Sequence, residues 1–281
     1  MTSLDFAALR TQMLAEAAED RQASSSQPLP PLAISDHLQH TLSWFPSGTH
    51  APIPLPPQIE GVFPSSDGSG WDVVLIHDFV SESEEMDLIE SLESDPAVEW
   101  EKAGSRWVSN LGGIPPPTPD ANEPMVSIPL PHAATQLANA LDSLGCTWAE
   151  WGGDPNHVLL NKYPSGCGIK AHGDGPRFAP LTASLSLGPE TTPAVMKWVH
   201  ATTGEEIGSV VLPPRSLVVF ARTAYTDWTH EILPVETGPR YSLTLRRVVN
   251  VVEGGELLMT SSAIADRKRA KAMMLLSISD A

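Results

Sequence analysis

Polar and apolar positions alternate most plainly in the second half of the chain. Residues 158–163 make an apolar, strand-like run that ends at the turn formers Pro164, Ser165, Gly166 and Gly168. Ile169 restarts an extended segment that carries His172 and Asp174. On extended backbone, residues two apart point to the same side. Asn161 and Tyr163 therefore share one face, and His172 and Asp174 can share another. Residues 182–187 alternate polar and apolar, and strand-like runs follow at 194–199, 209–212, 217–221, around Ile232 and at 240–249. In the last run Arg240, Ser242, Thr244 and Arg246 fall on one face, and Tyr241, Leu243, Leu245 and Arg247 on the other. Many short strands joined by turns predict a mostly β fold with flanking helices.

The first half predicts the flanking elements. Residues 71–79 read as a strand with Val73, Val74, Leu75 and Ile76 as a buried run. Ser81 and Glu84 form a capping box for a helix to about residue 94, with Met86, Leu88, Ile89 and Leu92 toward the core and Asp95-Pro96 as its stop. Residues 100–114 predict two short strands or a lid, and a proline-rich loop follows. A second helix is expected over 132–144, with Leu137, Leu141 and Leu144 inward and Gly145 as C-cap. Both helices are expected to cover one face of a sheet. Phe6, Leu9, Met13, Leu14 and Ala17 recur at helical spacing within 3–22, and prolines crowd between 28 and 64, with Trp44 and Phe45 as candidate anchors. A last helix over 263–276 carries Arg267, Lys268, Arg269 and Lys271. It reads first as a solvated face, and otherwise as a phosphate contact or nuclear address. The division expected is an N-terminal helical and proline-rich extension at 1–70, a catalytic domain at 71–258, and a C-terminal basic helix or tail at 259–281.

Composition narrows the classes. A chain of 281 residues suits one domain with extensions, or at most two domains, and 41% hydrophobic residues are sufficient for a core though slightly low. The net charge of -17 is opposite to the basic footprint usual for nucleic-acid binders. It predicts weak, salt-sensitive nucleic-acid affinity and gives weight to a protein partner or substrate. Two cysteines, Cys146 and Cys167, exclude a disulfide framework and point to a reducing compartment. No apolar run approaches the roughly 20 residues of a membrane helix. Asp5, Glu16, Glu19 and Asp20 argue against a transit peptide. A monomer of the cytoplasm and nucleus, away from membranes, is expected.

Candidate chemistry gathers on the alternating segments. His172 and Asp174 are two thirds of a 2-His-1-carboxylate facial triad, although the triplet alone reads as a surface turn. His230, entering a later strand, could supply the third ligand. An arginine on an inward strand face is costly unless an anion pairs with it, and guanidinium binds carboxylate in a bidentate fork. A small dicarboxylate suits Arg240 or Arg246; taken alone, the stretch also reads as an edge strand with solvated arginines.

The order of these motifs resembles that of the AlkB-type Fe(II)- and 2-oxoglutarate-dependent dioxygenases, and more narrowly the group of the sixth eukaryotic AlkB homologue. The residues that carry the resemblance are Asn161-Lys-Tyr163, His172-Gly-Asp174-Gly-Pro, Ser184-Leu-Ser-Leu-Gly188, Pro214-Arg-Ser-Leu217, Ala224-Tyr-Thr226, His230 and Arg240-Tyr-Ser-Leu-Thr-Leu-Arg-Arg-Val248. Upstream, Arg106-Trp-Val-Ser-Asn-Leu-Gly-Gly-Ile-Pro115 also fits the subgroup. The resemblance spans about residues 71–258 and implies a double-stranded β-helix, or jelly roll.

It further implies that His172, Asp174 and His230 ligate Fe(II), and that Asn161, Tyr163 and Arg240 hold 2-oxoglutarate, with Arg240 on the distal carboxylate. Ser242 stands where many members carry Asn, and Arg246 matches the second family arginine, near the metal end of the co-substrate. The activity implied is oxidative demethylation or hydroxylation with dioxygen. Trp107, Phe178 and Tyr225 are expected around the mouth as base-stacking aromatics, and Arg177 as a phosphate contact. DNA-repair members carry an acidic residue two positions after the metal Asp; here that position is Pro176. Three readings stay open: an oxygenase of methylated RNA or DNA, the same chemistry on a protein side chain, and a nucleic-acid-binding or scaffold protein with a vestigial site. The complete triad and Arg240 weigh against the last.

Overall fold

The alternation along residues 240–246 sets the architecture, because that strand carries the site on one face and a leucine-rich core on the other. A computed structural model describes residues 59–253, with interruptions at 66–70, 96–97, 117–122, 144–147, 149–152 and 190–192. The expected helices at 3–22 and 263–276, the anchors Trp44 and Phe45, and Leu144 and Gly145 lie outside the described residues.

In chain order the first elements are β1 (Ile59–Pro64), β2 (Trp71–Ile76), α1 (Glu82–Ser94), β3 (Glu101–Ala103), β4 (Arg106–Leu111), β5 (Met125–Ser127) and α2 (His132–Ser143). There follow β6 (His157–Tyr163), β7 (Ile169–His172), β8 (Leu181–Leu187), β9 (Ala194–His200), β10 (Glu206–Leu212) and β11 (Leu217–Ala221). The last are α3 (Thr223–Thr226), β12 (Trp228–Ile232), β13 (Arg240–Arg246) and β14 (Val251–Glu253). An eight-stranded sheet runs β1-β2-β11-β8-β13-β6-β4-β3, and a four-stranded sheet runs β10-β9-β12-β7. The two face each other as the jelly roll that the alternation and the resemblance implied.

Each face of the large sheet has its own core. On the helix side, Leu185, Leu243 and Leu245 pack with Leu88 and Leu92 of α1 and Leu137 and Leu141 of α2. Burial of each such side chain is worth about 1.5–3 kcal/mol. On the inner side, Val73, Leu75, Val218 and Phe220 meet Met196, Trp198 and Leu212 of the small sheet.

Several local readings hold. Ser81 caps α1 and its box with Glu84 is complete. Residues 101–111 form the β3–β4 hairpin and continue the large sheet through β4–β6 pairing, so they are strands rather than a lid. Two expectations change. Met86 is 65% exposed, whereas Glu84 and Glu85 are buried. The inward stripe of α1 runs Glu85, Leu88, Leu92 at helical spacing, and Glu85 is held there because it accepts bonds from the Gly188 amide at 2.8 Å and the Arg215 guanidinium at 3.1 Å. The sheet also begins earlier than residue 71. β1, from the segment read as proline-rich extension, pairs antiparallel with β2 as an edge strand. Pro64 is tolerated there because it ends the strand.

Candidate active site

β13 lies between β6 and β8, and the register decides which side chains meet. Arg240 lies opposite Tyr163, and Ser242 opposite both Asn161 and Ser186. Strand parity then turns Arg240, Ser242, Thr244 and Arg246 together with Asn161 and Tyr163 into one cavity of about 220 Å³ between the sheets. In the small sheet β12 pairs with β7 so that His230 lies opposite His172. Asp174 follows two residues after β7, where Gly175 takes φ +85° and turns the chain. The Tyr225 hydroxyl donates to the Gly175 carbonyl at 2.8 Å and pins that turn.

The result is one cluster. Ligand atoms of His172, Asp174 and His230 all lie within 4.8 Å of one another. His172 Nδ1 is 3.0 Å from the Lys170 carbonyl, which makes Nδ1 the donor and leaves Nε2 bare for a metal. Burial pulls the pKa of His230 down to about 4, against the opposing pull of Asp174. Burial likewise lowers His172, again opposed by Asp174. Both imidazoles are thus neutral near pH 7, the form that coordinates. Burial by itself would raise Asp174, but Arg246, His230, His172 and the Thr182 hydroxyl outweigh it and hold the carboxyl below its usual range. Two neutral imidazoles and a carboxylate on one side of a cavity fit Fe(II) with open positions.

Arg240 supplies an independent test of fit. It is 3% exposed, and only Nη2 is engaged, donating to Ser186 Oγ at 2.7 Å. Its Nε and Nη1 are buried with no hydrogen-bond partner. Burial lowers its pKa, while Tyr163, whose ring centre is 5.2 Å away, acts the other way. A buried guanidinium with two idle donors is costly unless an anion enters. A carboxylate arriving from the cavity satisfies both, so the residues fit a keto diacid.

A sequence model of the 2OG-Fe(II) oxygenase superfamily matches residues 72–248. The chain belongs to this superfamily. Its members are Fe(II)- and 2-oxoglutarate-dependent enzymes, and this chain is an AlkB-like dioxygenase by its relatives. It is 30% identical over 168 residues to the "Probable RNA/DNA demethylase ALKBH6" of Danio rerio, covering 57% of this chain and 68% of that protein. It is 29% identical over 167 residues to the tRNA (carboxymethyluridine(34)-5-O)-methyltransferase alkbh8 of Xenopus tropicalis, covering 58% of this chain and 25% of that protein. The solved structure of OsALKBH1 matches with a TM-score of 0.49 at 16% identity, covering 63% of this chain and 98% of that one.

Against the superfamily pattern, the remaining side chains sort as follows. Arg246 donates to Asp174 Oδ1 at 2.6 Å, and its guanidinium carbon sits 4.1 Å above the Phe178 ring. Asn161 donates to Ser242 Oγ at 3.3 Å, so the serine in place of Asn is joined to the same polar network. Phe178 is 7% exposed and packs with Met125 and Val248; it supports Arg246 from behind rather than lining the cavity. Arg177 donates to the Pro116 carbonyl, which engages the group expected to meet phosphate. Tyr225 is half-buried and stacks on Phe220, with ring centres 6.5 Å apart. Trp107 is not at the cavity. It is 40% exposed and lies opposite Lys162, whose ammonium bonds Glu93 of α1 on the helix side of the sheet. Strand parity is the reason, since Arg106, one residue earlier, takes the inward position.

Two functional side chains escaped the sequence reading. Arg106 lines the cavity and donates through Nε to Asn161 Oδ1 at 2.9 Å. Thr182, wholly buried, donates to Asp174 Oδ2 at 3.0 Å. The signal for Thr182 was the alternation of residues 182–187. For Arg106 it was the choice between adjacent residues of one strand, which needs the register.

Proposed function

We propose that the chain is an oxidative demethylase of methylated nucleic acid that uses Fe(II), 2-oxoglutarate and dioxygen. The observation that carries the reading is Arg240: two unsatisfied, buried donors in the same cavity as a complete His-Asp-His cluster. In this reading His172 Nε2, an imidazole nitrogen of His230 and an Asp174 oxygen hold the metal. Arg240 and Tyr163 hold the distal carboxylate of the keto acid, with Asn161 and Ser242 beside it. Arg246 keeps Asp174 ionised and aligned by its short ion pair. Fe(II) held there would supply the redox chemistry that couples decarboxylation of 2-oxoglutarate by dioxygen to hydroxylation of a substrate carbon. An N-methyl group so hydroxylated leaves as formaldehyde, with succinate and carbon dioxide as the other products. Apolar walls from Met196, Leu212 and Phe220 limit water around the reacting groups.

The nucleic-acid class draws support from the Danio rerio relative, which is described as a probable RNA/DNA demethylase. A protein substrate is the second reading, favoured by the net charge of -17 and by Pro176. A reducing compartment, cytoplasm or nucleus, accords with two cysteines; among the described residues no helix is long and apolar enough to cross a membrane. The deciding experiment incubates Fe(II)-loaded protein with 2-oxoglutarate and oxygen against methylated oligonucleotides and methylated peptides. Formaldehyde and succinate in equal yield from an oligonucleotide, lost in Arg240→Ala, is the expected result. Formaldehyde from peptides alone would transfer the activity to protein, and none from either, with no succinate, would remove the oxygenase reading.

A further inference from the structure

Of the three guanidinium groups lining the cavity, Arg106 is the one that is neither paired with a carboxylate nor buried deep beside Tyr163. Arg246 faces Asp174 at 2.6 Å, and Arg240 has its two idle donors buried deep beside Tyr163. Arg106 is half-buried, engages Asn161 Oδ1 through Nε alone, and has no carboxylate partner among the described residues. Among the described residues both terminal nitrogens of its fork therefore remain available for bidentate bonding. The residue opens β4 directly after the β3–β4 turn, where Gly104 and Ser105 are exposed, so it stands on the solvent side of the cavity floor.

The charge of the lining sharpens the point. Asp174 is the only carboxylate among the described residues lining the cavity, against Arg106, Arg240 and Arg246. A divalent cation and a dianionic keto acid cancel each other. Positive charge is left over at the open side, within a chain whose net charge is -17. Such a local excess, inside low-dielectric walls, focuses attraction on an anionic substrate that the rest of the surface repels.

We infer that Arg106 is a substrate-binding residue: with its two free terminal nitrogens it grips a backbone phosphate of the nucleic acid next to the modified nucleotide. This rests on the oxygenase reading for the position of the reacting group and adds the contact that selects the substrate class. A phosphodiester is favoured over an acidic side chain because it recurs along the strand beside any modified base, in fixed reach of one fixed guanidinium. The hydrogen bond to Asn161 then gives the strand of substrate contacts a direct link to the co-substrate network.

The test uses the full chain loaded with Mn(II) and 2-oxoglutarate under nitrogen, and a fluorescein-labelled 12-nucleotide single-stranded RNA. Arg106→Gln is expected to weaken RNA binding by about tenfold at low salt and to reduce the salt slope by about one phosphate contact. Arg106→Lys, which keeps the charge and loses the fork, is expected to recover the slope and only part of the affinity. Calorimetry of 2-oxoglutarate on the same proteins separates this proposal from the oxygenase reading. If wild type binds 2-oxoglutarate but RNA binding is absent, or identical in wild type and Arg106→Gln, the phosphate assignment is overturned and the oxygenase stands. If Arg106→Gln loses 2-oxoglutarate affinity as steeply as RNA affinity, Arg106 serves the co-substrate and the proposal fails. Loss confined to a glutamate-rich peptide of equal charge would assign the contact to a protein substrate instead. Thermal unfolding of both variants identifies a folding defect, and the Lys variant then carries the comparison.

Discussion

His172 and His230 face each other across paired strands, with ring centres 4.5 Å apart and Asp174 within reach of both. The two histidines are 58 positions apart in sequence, and the antiparallel pairing of β7 with β12 brings them together. That pairing predicts that neither ring is replaceable. His172→Ala and His230→Ala should each abolish stoichiometric binding of Fe(II) or Mn(II), read by calorimetry or Mn(II) resonance under anaerobic conditions. Unchanged stoichiometry in either variant contradicts the assignment.

Thr182 orients Asp174 from the side opposite Arg246. Removing the hydroxyl in Thr182→Val should weaken metal affinity by about 10–100-fold, the usual effect of losing a group that orients a ligand. Thr182→Ser should restore most of it, because the oxygen returns. Equal affinity in the Val and Ser variants would show that shape alone matters at this position.

Arg240 makes opposite predictions for the free and the loaded protein. Loss of a charge-assisted pair worth about 1.5–3 kcal/mol should weaken 2-oxoglutarate by roughly 10–100-fold in Arg240→Met. The same substitution removes a buried charge with two idle donors, so the ligand-free melting temperature should hold or rise. Calorimetry and thermal unfolding, with and without 2-oxoglutarate, check both halves. A large fall in the ligand-free melting temperature, with affinity intact, is the result that refutes the assignment.

Acid should release the metal late. Folded His230 has a pKa of about 4 and folded His172 is lowered too, both from the ordinary 6.5. Protons are bound in the unfolded chain before they are bound in the folded one. The contribution of these groups to stability is therefore complete above pH 6.5 and is lost as pH falls through the folded values. Metal affinity should vary little between pH 8 and pH 6.5 and fall steeply toward pH 4. A Mn(II) titration whose midpoint lies at pH 6.5 would falsify the lowered imidazoles.

Trp107 provides the contrast to its neighbour Arg106. It lies on the helix side of the sheet, so Trp107→Ala should leave 2-oxoglutarate affinity and oligonucleotide turnover within about twofold of wild type. Kinetics with a methylated oligonucleotide test this. A tenfold fall in turnover would return the ring to the substrate path.

Much of the site was legible because strands write their faces into the chain. The parity of residues 240–246 separated Arg240, Ser242, Thr244 and Arg246 from Tyr241, Leu243 and Leu245, and the structure divides them the same way. The Ser81–Glu84 box, α2 and the short strands were readable from local chemistry alone. The inward face of α1 was misjudged at Met86 because Glu85 is drawn inside by Arg215, 130 residues away.

Local pattern thus determined which residues are extended, which are helical, and which neighbours along one strand share a side, since these follow from backbone geometry over a few residues. It left open which strands pair and in what register. That choice depends on which arrangement buries the most apolar surface across the whole fold, and a shift of one residue would turn every side chain over. Only the assembled sheets could put Arg106 rather than Trp107 in the cavity, seat Thr182 against Asp174, and leave Arg240 with two donors waiting for an anion.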